Sequence, residues 1–183
     1  MAFSGIVLNG GTSSRMGRDK GQINFHGRTL LTVAIDSLTD ACADEILIVG
    51  GDKLPNYPNK SITLLDDLFP NEGPLGGIIT GLRSTKNEIA FILACDYLDI
   101  DSELVKECIA SLGSYSMVSP LYKNRKQFLF SAIKTEILNN LEEHFANGVR
   151  SMHEATANIN YGTYESSRPE NLRSANTPSE LNE

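Results

Sequence analysis

Apolar positions in this chain gather in short runs separated by polar or glycine-rich stretches. Phe3–Leu8 ("FSGIVL") is apolar almost throughout and stops at Asn9-Gly10-Gly11, the pattern of a buried strand ending in a glycine loop. Glu45–Gly51 ("EILIVGG") repeats it, and Ser61–Leu65 ("SITLL") is followed by Asp66-Asp67. Ile89–Cys95 ("IAFILAC") is continuously apolar, as expected of a strand covered on both faces. Helical spacing appears between these runs. Thr29–Ala41 carries Leu30, Leu31, Val33, Ala34 and Leu38, with Thr29 as cap. Pro70–Leu82 reads as a turn opening into a short glycine-rich helix. Ser102–Leu112, with a cap at Ser102, and Thr135–Asn147, stopping at Gly148, read as further helices. Tyr115–Pro120 and Gln127–Ile133 read as later strands. The second follows the first too closely for a helical crossover, which predicts an antiparallel pairing. Periodicity is weak from about Asn158, and residues 166–183 read as a loose tail.

Strands that alternate with helices predict an α/β fold. The expected architecture is one domain over residues 1–183, a mostly parallel twisted sheet with helices on both faces and one antiparallel strand. In open sheets of this kind the ligand lies beyond the carboxyl ends of the strands. Here those ends are Asn9-Gly10-Gly11, Gly50-Gly51, Asp66-Asp67 and Cys95-Asp96. They are expected to converge on one edge.

Composition narrows the chemistry. The 183 residues are 40% hydrophobic and 21% charged, with a net charge of −7, which argues against a nucleic-acid partner. The segment Leu8–Arg28 reverses that sign. Its cations are Arg15, Arg18, Lys20 and Arg28 and its one acid is Asp19. A basic island in an acidic chain points to an anionic ligand. The three cysteines, Cys42, Cys95 and Cys108, form no C-x-x-C pair, and a reducing cytoplasm is the simple reading. His26, His144 and His153 have no metal-ligand spacing. No apolar run is long enough to span a membrane, and "FSGIVLNGG" is too short for a signal peptide.

The basic island contains "LNGGTSSRMGRDK" (residues 8–20). Glycines let a backbone approach phosphate oxygens and aim N–H groups at them. The two commonest phosphate loops do not fit. Five residues separate Gly11 from Gly17, and Arg18 follows where G-x-x-x-x-G-K-[ST] needs lysine; the adjacent Gly10 and Gly11 break G-x-G-x-x-G. The length allows the loop to fold over a triphosphate, with Arg15 and Lys20 closing on it. The plain alternative is a surface loop with solvated charges. Asp96 reads as a magnesium ligand at a strand end, or as the cap of the next turn. One of Asp66 and Asp67 reads as a ligand contact, or both as turn formers. "YKNRKQF" (Tyr122–Phe128) reads as a hairpin turn with solvated cations, or as a basic patch of Lys123, Arg125 or Lys126 for an anionic acceptor.

"LNGGTSSRMGRDK" resembles the signature L-[AN]-G-G-x-S-x-R-M-G-x-D-K of the molybdenum cofactor guanylyltransferases, members of a wider nucleotidyltransferase group. Three further segments resemble that family in order: "DDLFPNEGPLGGIITGL" its aspartate and G-P-L-x-G-I-x-x-G-L, "ILACDYLDI" its C-D-x-P strand end, and "SANTPSEL" its N-x-N-T-P-x-[DE]-L. The resemblance implies a Rossmann-like nucleotidyltransferase fold. It implies transfer of GMP from GTP to the phosphate of molybdenum-bound molybdopterin, with Mg2+ as cofactor and release of pyrophosphate. A receiving molybdoenzyme or a chaperone is a candidate protein partner. By resemblance Leu8, Asn9, Gly10 and Gly11 line the nucleotide, Lys20 holds phosphate with Arg15, Asp66 meets the nucleoside, and Asp96 binds the metal. Gly76 and Gly77 stand where backbone would approach the base, and Asn176 belongs to the acceptor region. The chain departs from the pattern at Asn9, where alanine is usual, at Leu98, where proline is usual, and at Ser174, where asparagine is common. Other readings are transfer of CMP to molybdopterin, transfer of a nucleotide to a sugar phosphate, and a non-catalytic nucleotide-binding relative. The cytidylyl and sugar branches commonly carry proline before the lysine, whereas here Asp19 precedes Lys20.

Overall fold

The computed structural model describes residues 1–10, 20–51 and 61–174, with backbone alone at Lys20. The strands are β1 (Ser4–Leu8), β2 (Asn24–Phe25), β3 (Arg28–Thr29), β4 (Glu45–Val49), β5 (Ile62–Leu65), β6 (Ile89–Ala94), β7 (Met117–Tyr122), β8 (Arg125–Lys126), β9 (Phe130–Lys134) and β10 (Tyr161–Glu165). The helices are α1 (Leu30–Asp40), α2 (Pro74–Ser84), α3 (Ser102–Ala110), α4 (Leu138–Ala146) and α5 (Met152–Ala155). Among the described residues one sheet runs β10-β7-β9-β6-β1-β4-β5, with β8 paired to β7, and β2 and β3 form a separate hairpin. Strands β6, β1, β4 and β5 are parallel neighbours. The expected antiparallel strand is β9. It lies inside the sheet, between β6 and β7.

Every residue of β1 and β4 is buried, because helices cover both faces. Phe3 and Val7 of the first run pack with Leu31, Ile35 and Leu38 of α1 and Leu104, Val105 and Cys108 of α3. Ile6 and Leu8 point the other way, to Leu75, Ile78 and Leu82 of α2, Leu141 of α4 and Met152 of α5. This is the two-residue alternation of a strand buried between two layers. It explains why the parallel strands read as unbroken apolar runs. The Cys108 thiol, enclosed in one layer, is pushed up to about 12 by burial.

The caps show how the helices start. Thr29 Oγ1 accepts from the Thr32 N–H at 3.1 Å. Helix α3 is capped by Asp101, whose carboxylate accepts from Glu103 and Leu104 N–H, both at 3.1 Å, and not by Ser102 as the sequence suggested. Asp and Ser serve equally well at this position, so adjacent candidates cannot be ranked by type. Helix α2 starts from Gly73, at φ 83°, with Pro74 at its first position. That arrangement suits proline, whose missing N–H is unpaired there anyway.

Four expectations shift. The expected helix over 135–147 opens as a 3-10 turn at Thr135–Ile137 before α4 begins. Strand β9 starts at Phe130 rather than Gln127, because the Phe130 N–H closes a turn onto the Gln127 carbonyl at 2.9 Å. Strand β7 continues through Pro120 to Tyr122; Pro120 sits where the ladder passes from β9 to β8. Residues 161–165 form β10, parallel to β7. This strand is mostly exposed or half-buried, which is why its periodicity is weak.

The stretch expected to be a loose tail is docked as far as Ser174. Arg168 holds Asp101 with both terminal nitrogens, at 2.6 and 2.8 Å. Ser166 donates to Glu107 at 2.9 Å, Leu172 is buried, and Ser174 bridges to Tyr97. Among the described residues no helix is long and apolar enough to cross a membrane.

Candidate nucleotide site

The four strand ends stand in one row. Leu8 is in register with Ala94 on one side and Val49 on the other, and Val49 with Leu65. Asn9, Gly50, Asp66 and Cys95 therefore emerge side by side at the carboxyl edge. The row is held by the Asn9 N–H on the Val49 carbonyl at 2.9 Å, Gly50 N–H on Leu65 at 3.0 Å and Cys95 N–H on Leu8 at 3.2 Å. From the β6 end, which leads to Asp96, to the β5 end, which leads to Asp66, there are three strand spacings, about 14 Å.

The middle of this row is made of backbone. A Cβ on Gly50 would lie 2.9 Å from the Gly10 Cα, so the β1 and β4 ends touch with no side chain between them. Gly50 also has φ +79°, a conformation that favours glycine. Asn9 is 4% exposed. Its Nδ2 donates to the Gly50 carbonyl at 3.5 Å, and its Oδ1 is buried with no hydrogen-bond partner among the described residues. A Cβ on Gly21 would sit 2.0 Å from that oxygen. The residue after Lys20 thus packs on the residue after β1, and the neck of the glycine-rich loop is closed. The Lys20 backbone, in a 3-10 turn over Lys20–Gln22, directly precedes this Gly21–Asn9 contact. Gly11, Arg15, the Lys20 side chain and Asn176 lie outside the described residues.

The two aspartates after β5 have different surroundings. Asp67 accepts from the Phe69 N–H at 2.9 Å and from the Thr80 hydroxyl at 3.3 Å. It orders the turn into α2. Asp66 is exposed at the strand end. Asp96, half-buried, sits between Cys95 and Tyr97, which are both buried. Burial raises the Tyr97 hydroxyl, and the neighbouring Asp96 charge adds to that. Gly76 and Gly77 have a packing reason of their own. A Cβ on Gly76 would lie 2.8 Å from the Phe69 Cβ, and one on Gly77 3.2 Å from a Leu8 methyl. Gly77 lets α2 lie close on β1, and Gly76 lets Phe69 of the preceding turn fold onto α2.

A magnesium ion fits this donor set when it is shared with substrate. Among the described residues no three His, Cys, Asp or Glu side chains cluster to hold a metal. One strand-end carboxylate combined with phosphate oxygens and water is the environment Mg2+ accepts.

Beyond β6 the edge becomes cationic. Lys123 and Asn124, at φ 49° and 59°, form the left-handed turn of the β7–β8 hairpin. A cleft of ≈ 700 Å³ opens beside it, lined by Lys123, Arg125, Lys126 and Arg173, with no carboxylate among the described residues that line it. The bridge from Ser174, another lining residue, to Tyr97 places this cleft one residue from Asp96. The sequence named Lys123, Arg125 and Lys126 as a basic patch. Arg173 was not among them, because its stretch has the polar composition of a tail; its sequence signal is a cation just ahead of "SANTP".

Solved structures share the fold. The molybdopterin-guanine dinucleotide biosynthesis protein A of Archaeoglobus fulgidus superposes with a TM-score of 0.79 at 18% identity, over 98% of this chain and 95% of that one. The 2-C-methyl-D-erythritol 4-phosphate cytidylyltransferase of Thermus thermophilus gives 0.74 at 12% identity, over 99% and 96%. The fold is that of the nucleotidyltransferases. More narrowly, the profile of the MobA-like NTP transferase domain matches residues 5–159, and the chain belongs to that family. It is 30% identical over 155 residues to a molybdenum cofactor guanylyltransferase of Pseudomonas entomophila, covering 82% of this chain and 80% of that protein. It is 28% identical over 132 residues to a probable molybdenum cofactor guanylyltransferase of Natranaerobius thermophilus, covering 70% of this chain. It is 33% identical over 123 residues to a molybdenum cofactor biosynthesis bifunctional protein of Synechocystis, covering 67% of this chain. These last two matches span 64% and 35% of the relatives' own lengths.

Proposed function

We propose that the protein transfers GMP from GTP to the phosphate of molybdenum-bound molybdopterin and releases pyrophosphate. The observation that carries this reading is the single row of strand ends. It sets Asp66 at one side, the neck of the glycine-rich loop in the middle, Asp96 at the other side and a cationic cleft beyond. The guanylyl names of the relatives support the base and the acceptor.

In the reaction an acceptor phosphate oxygen forms a bond to the α-phosphorus of GTP. The bond from that phosphorus to the α–β bridging oxygen breaks, and pyrophosphate carries the charge away. Such chemistry asks the protein for position and charge neutralisation, not for a covalent intermediate. Asp66, an acceptor of hydrogen bonds when ionised, holds nucleoside hydroxyls. Loop N–H groups and the cations Arg15 and Lys20 take the β- and γ-phosphates, Arg15 as a fork and Lys20 as a point charge. Asp96 would hold Mg2+, which when bound neutralises phosphate oxygens at the reacting centre. Lys123, Arg125 and Arg173 attract the anionic acceptor and hold it on the Asp96 side.

Calorimetric titration with GTP, CTP, UTP and ATP, followed by a pyrophosphate assay with acceptor present, tests the reading. GTP is expected to bind most tightly and to release pyrophosphate. Tighter binding of CTP would replace guanylyl with cytidylyl transfer, and binding without release would mark a non-catalytic relative. Within this scheme Arg125→Glu is expected to raise the KM for acceptor by roughly tenfold while the KM for GTP holds, since charge-assisted contacts are lost on one substrate only. An equal rise in both constants would remove the cleft from the acceptor's path.

A further inference from the structure

Among the described residues the buried apolar side chains form two large cores and one small one. The small core contains Phe25, Leu30 and Leu98, with Ile23 packed on it. Three of its members follow the glycine-rich loop directly. Ile23 comes after the 3-10 turn of Lys20–Gln22, Phe25 is in the β2–β3 hairpin, and Leu30 opens α1. The Leu30 N–H closes this unit by donating to the Ile23 carbonyl at 3.0 Å. The fourth member comes from elsewhere: Leu98, 3% exposed, stands two residues after Asp96.

Leu98 is also held from behind. Its N–H donates to the Arg173 carbonyl at 3.1 Å. Asn171 Nδ2 donates to the Asp99 carbonyl at 2.8 Å, and Arg173 pairs with the Asp99 carboxylate at 3.4 Å. The fork of Arg168 on Asp101 holds that carboxyl below the usual range and fixes the far end of the loop. Proline at position 98 would lack the N–H that makes the Arg173 contact.

We infer that Leu98 is a positioning residue. It sets the distance between the loop that carries Lys20 and the loop that carries Asp96, and the 168–174 segment clamps it in place. The role in transfer rests on the reading that Lys20 and Asp96 act on one triphosphate. Lys20 and a metal ion held by Asp96 would lose their joint effect on one triphosphate when their spacing slackens, and a misplacement near 1 Å can cost about 10²-fold in rate. Truncating a buried leucine opens a cavity and leaves such slack.

Leu98→Ala is the direct variant, and Leu98→Val, which removes a single methylene, is the milder one should Leu98→Ala fail to fold. Leu98→Ala is expected to lower kcat at saturating GTP and acceptor by roughly 10–100-fold, and Leu98→Val by less. GTP affinity without Mg2+ is expected to stay within about threefold, and Leu98→Met to restore most of the rate. Amide hydrogen exchange supplies a readout that needs no activity. In the Ala or Val variant residues 23–30 and 97–101 are expected to lose protection together, while α4 keeps its own. Loss in only one of the two segments, or a Leu98→Ala kcat within about threefold of the unaltered chain, overturns the inference. An unaltered chain that makes no product refutes guanylyl transfer and the catalytic part of this inference with it. The exchange result still decides whether Leu98 couples the two loops.

Discussion

Asp96→Ala is expected to lower the rate of guanylyl transfer by roughly 10²–10³-fold, the scale of losing one preorganised electrostatic partner of the reacting group. The residue follows β6, whose residues from Ala90 to Ala94 are all buried. The Cys95 N–H on Leu8, the Ala94 N–H on Leu129 at 2.8 Å and the Leu98 N–H on Arg173 fix the backbone on either side of it. The backbone that carries the Asp96 carboxylate is thus held on both sides. The variant should bind GTP normally in EDTA, because the loop and Asp66 are untouched. Asp96→Asn keeps the shape and should show the same loss together with a raised Mg2+ requirement. Transfer at the unaltered rate and the unaltered Mg2+ concentration would show that Asp96 only shapes the turn.

Lys20→Ala is the second large effect. Lys20 stands at the closed neck of the loop, one residue before Gly21, which packs on Asn9. The negative charge on the leaving pyrophosphate grows as the bond breaks, so a cation there should act more on the transition state than on bound GTP. The expected result is a fall in kcat/KM of roughly 10²–10³-fold, with the larger share in kcat. Lys20→Arg should recover only part, since the guanidinium is a broad fork and the ammonium a compact charge. A pure KM effect would mean that Lys20 binds substrate and transition state alike.

The parallel centre of the sheet was legible because burial on both faces writes itself as continuous apolar runs. The converging strand ends followed from that pattern alone. Other features depend on contacts between distant residues and leave no local trace. Strand β10 is mostly exposed or half-buried, and β9 is displaced by a turn whose hydrogen bond the composition does not reveal. The docking of residues 166–174 rests on Arg168 with Asp101, 67 positions apart, and Arg173 with Asp99, 74 apart. No window along the chain can pair those charges. At the site, side-chain type alone could not rank Asp66 against Asp67; the family resemblance chose Asp66, and Thr80, 13 residues on from Asp67, engages Asp67. Gly76 reads as a point of ligand approach, and Phe69 gives it a packing role besides. Leu98 looked like a mere departure from a motif, and its meaning required both Phe25 and Arg173 in view.

Guanylyl transfer is tested most directly by incubating the protein with GTP, Mg2+ and molybdenum-loaded molybdopterin and analysing the products by mass spectrometry. One molybdopterin-guanine dinucleotide is expected for each pyrophosphate released, with both lost in the Asp96→Asn variant. GTP bound but returned intact in the presence of competent acceptor would contradict the proposed reaction.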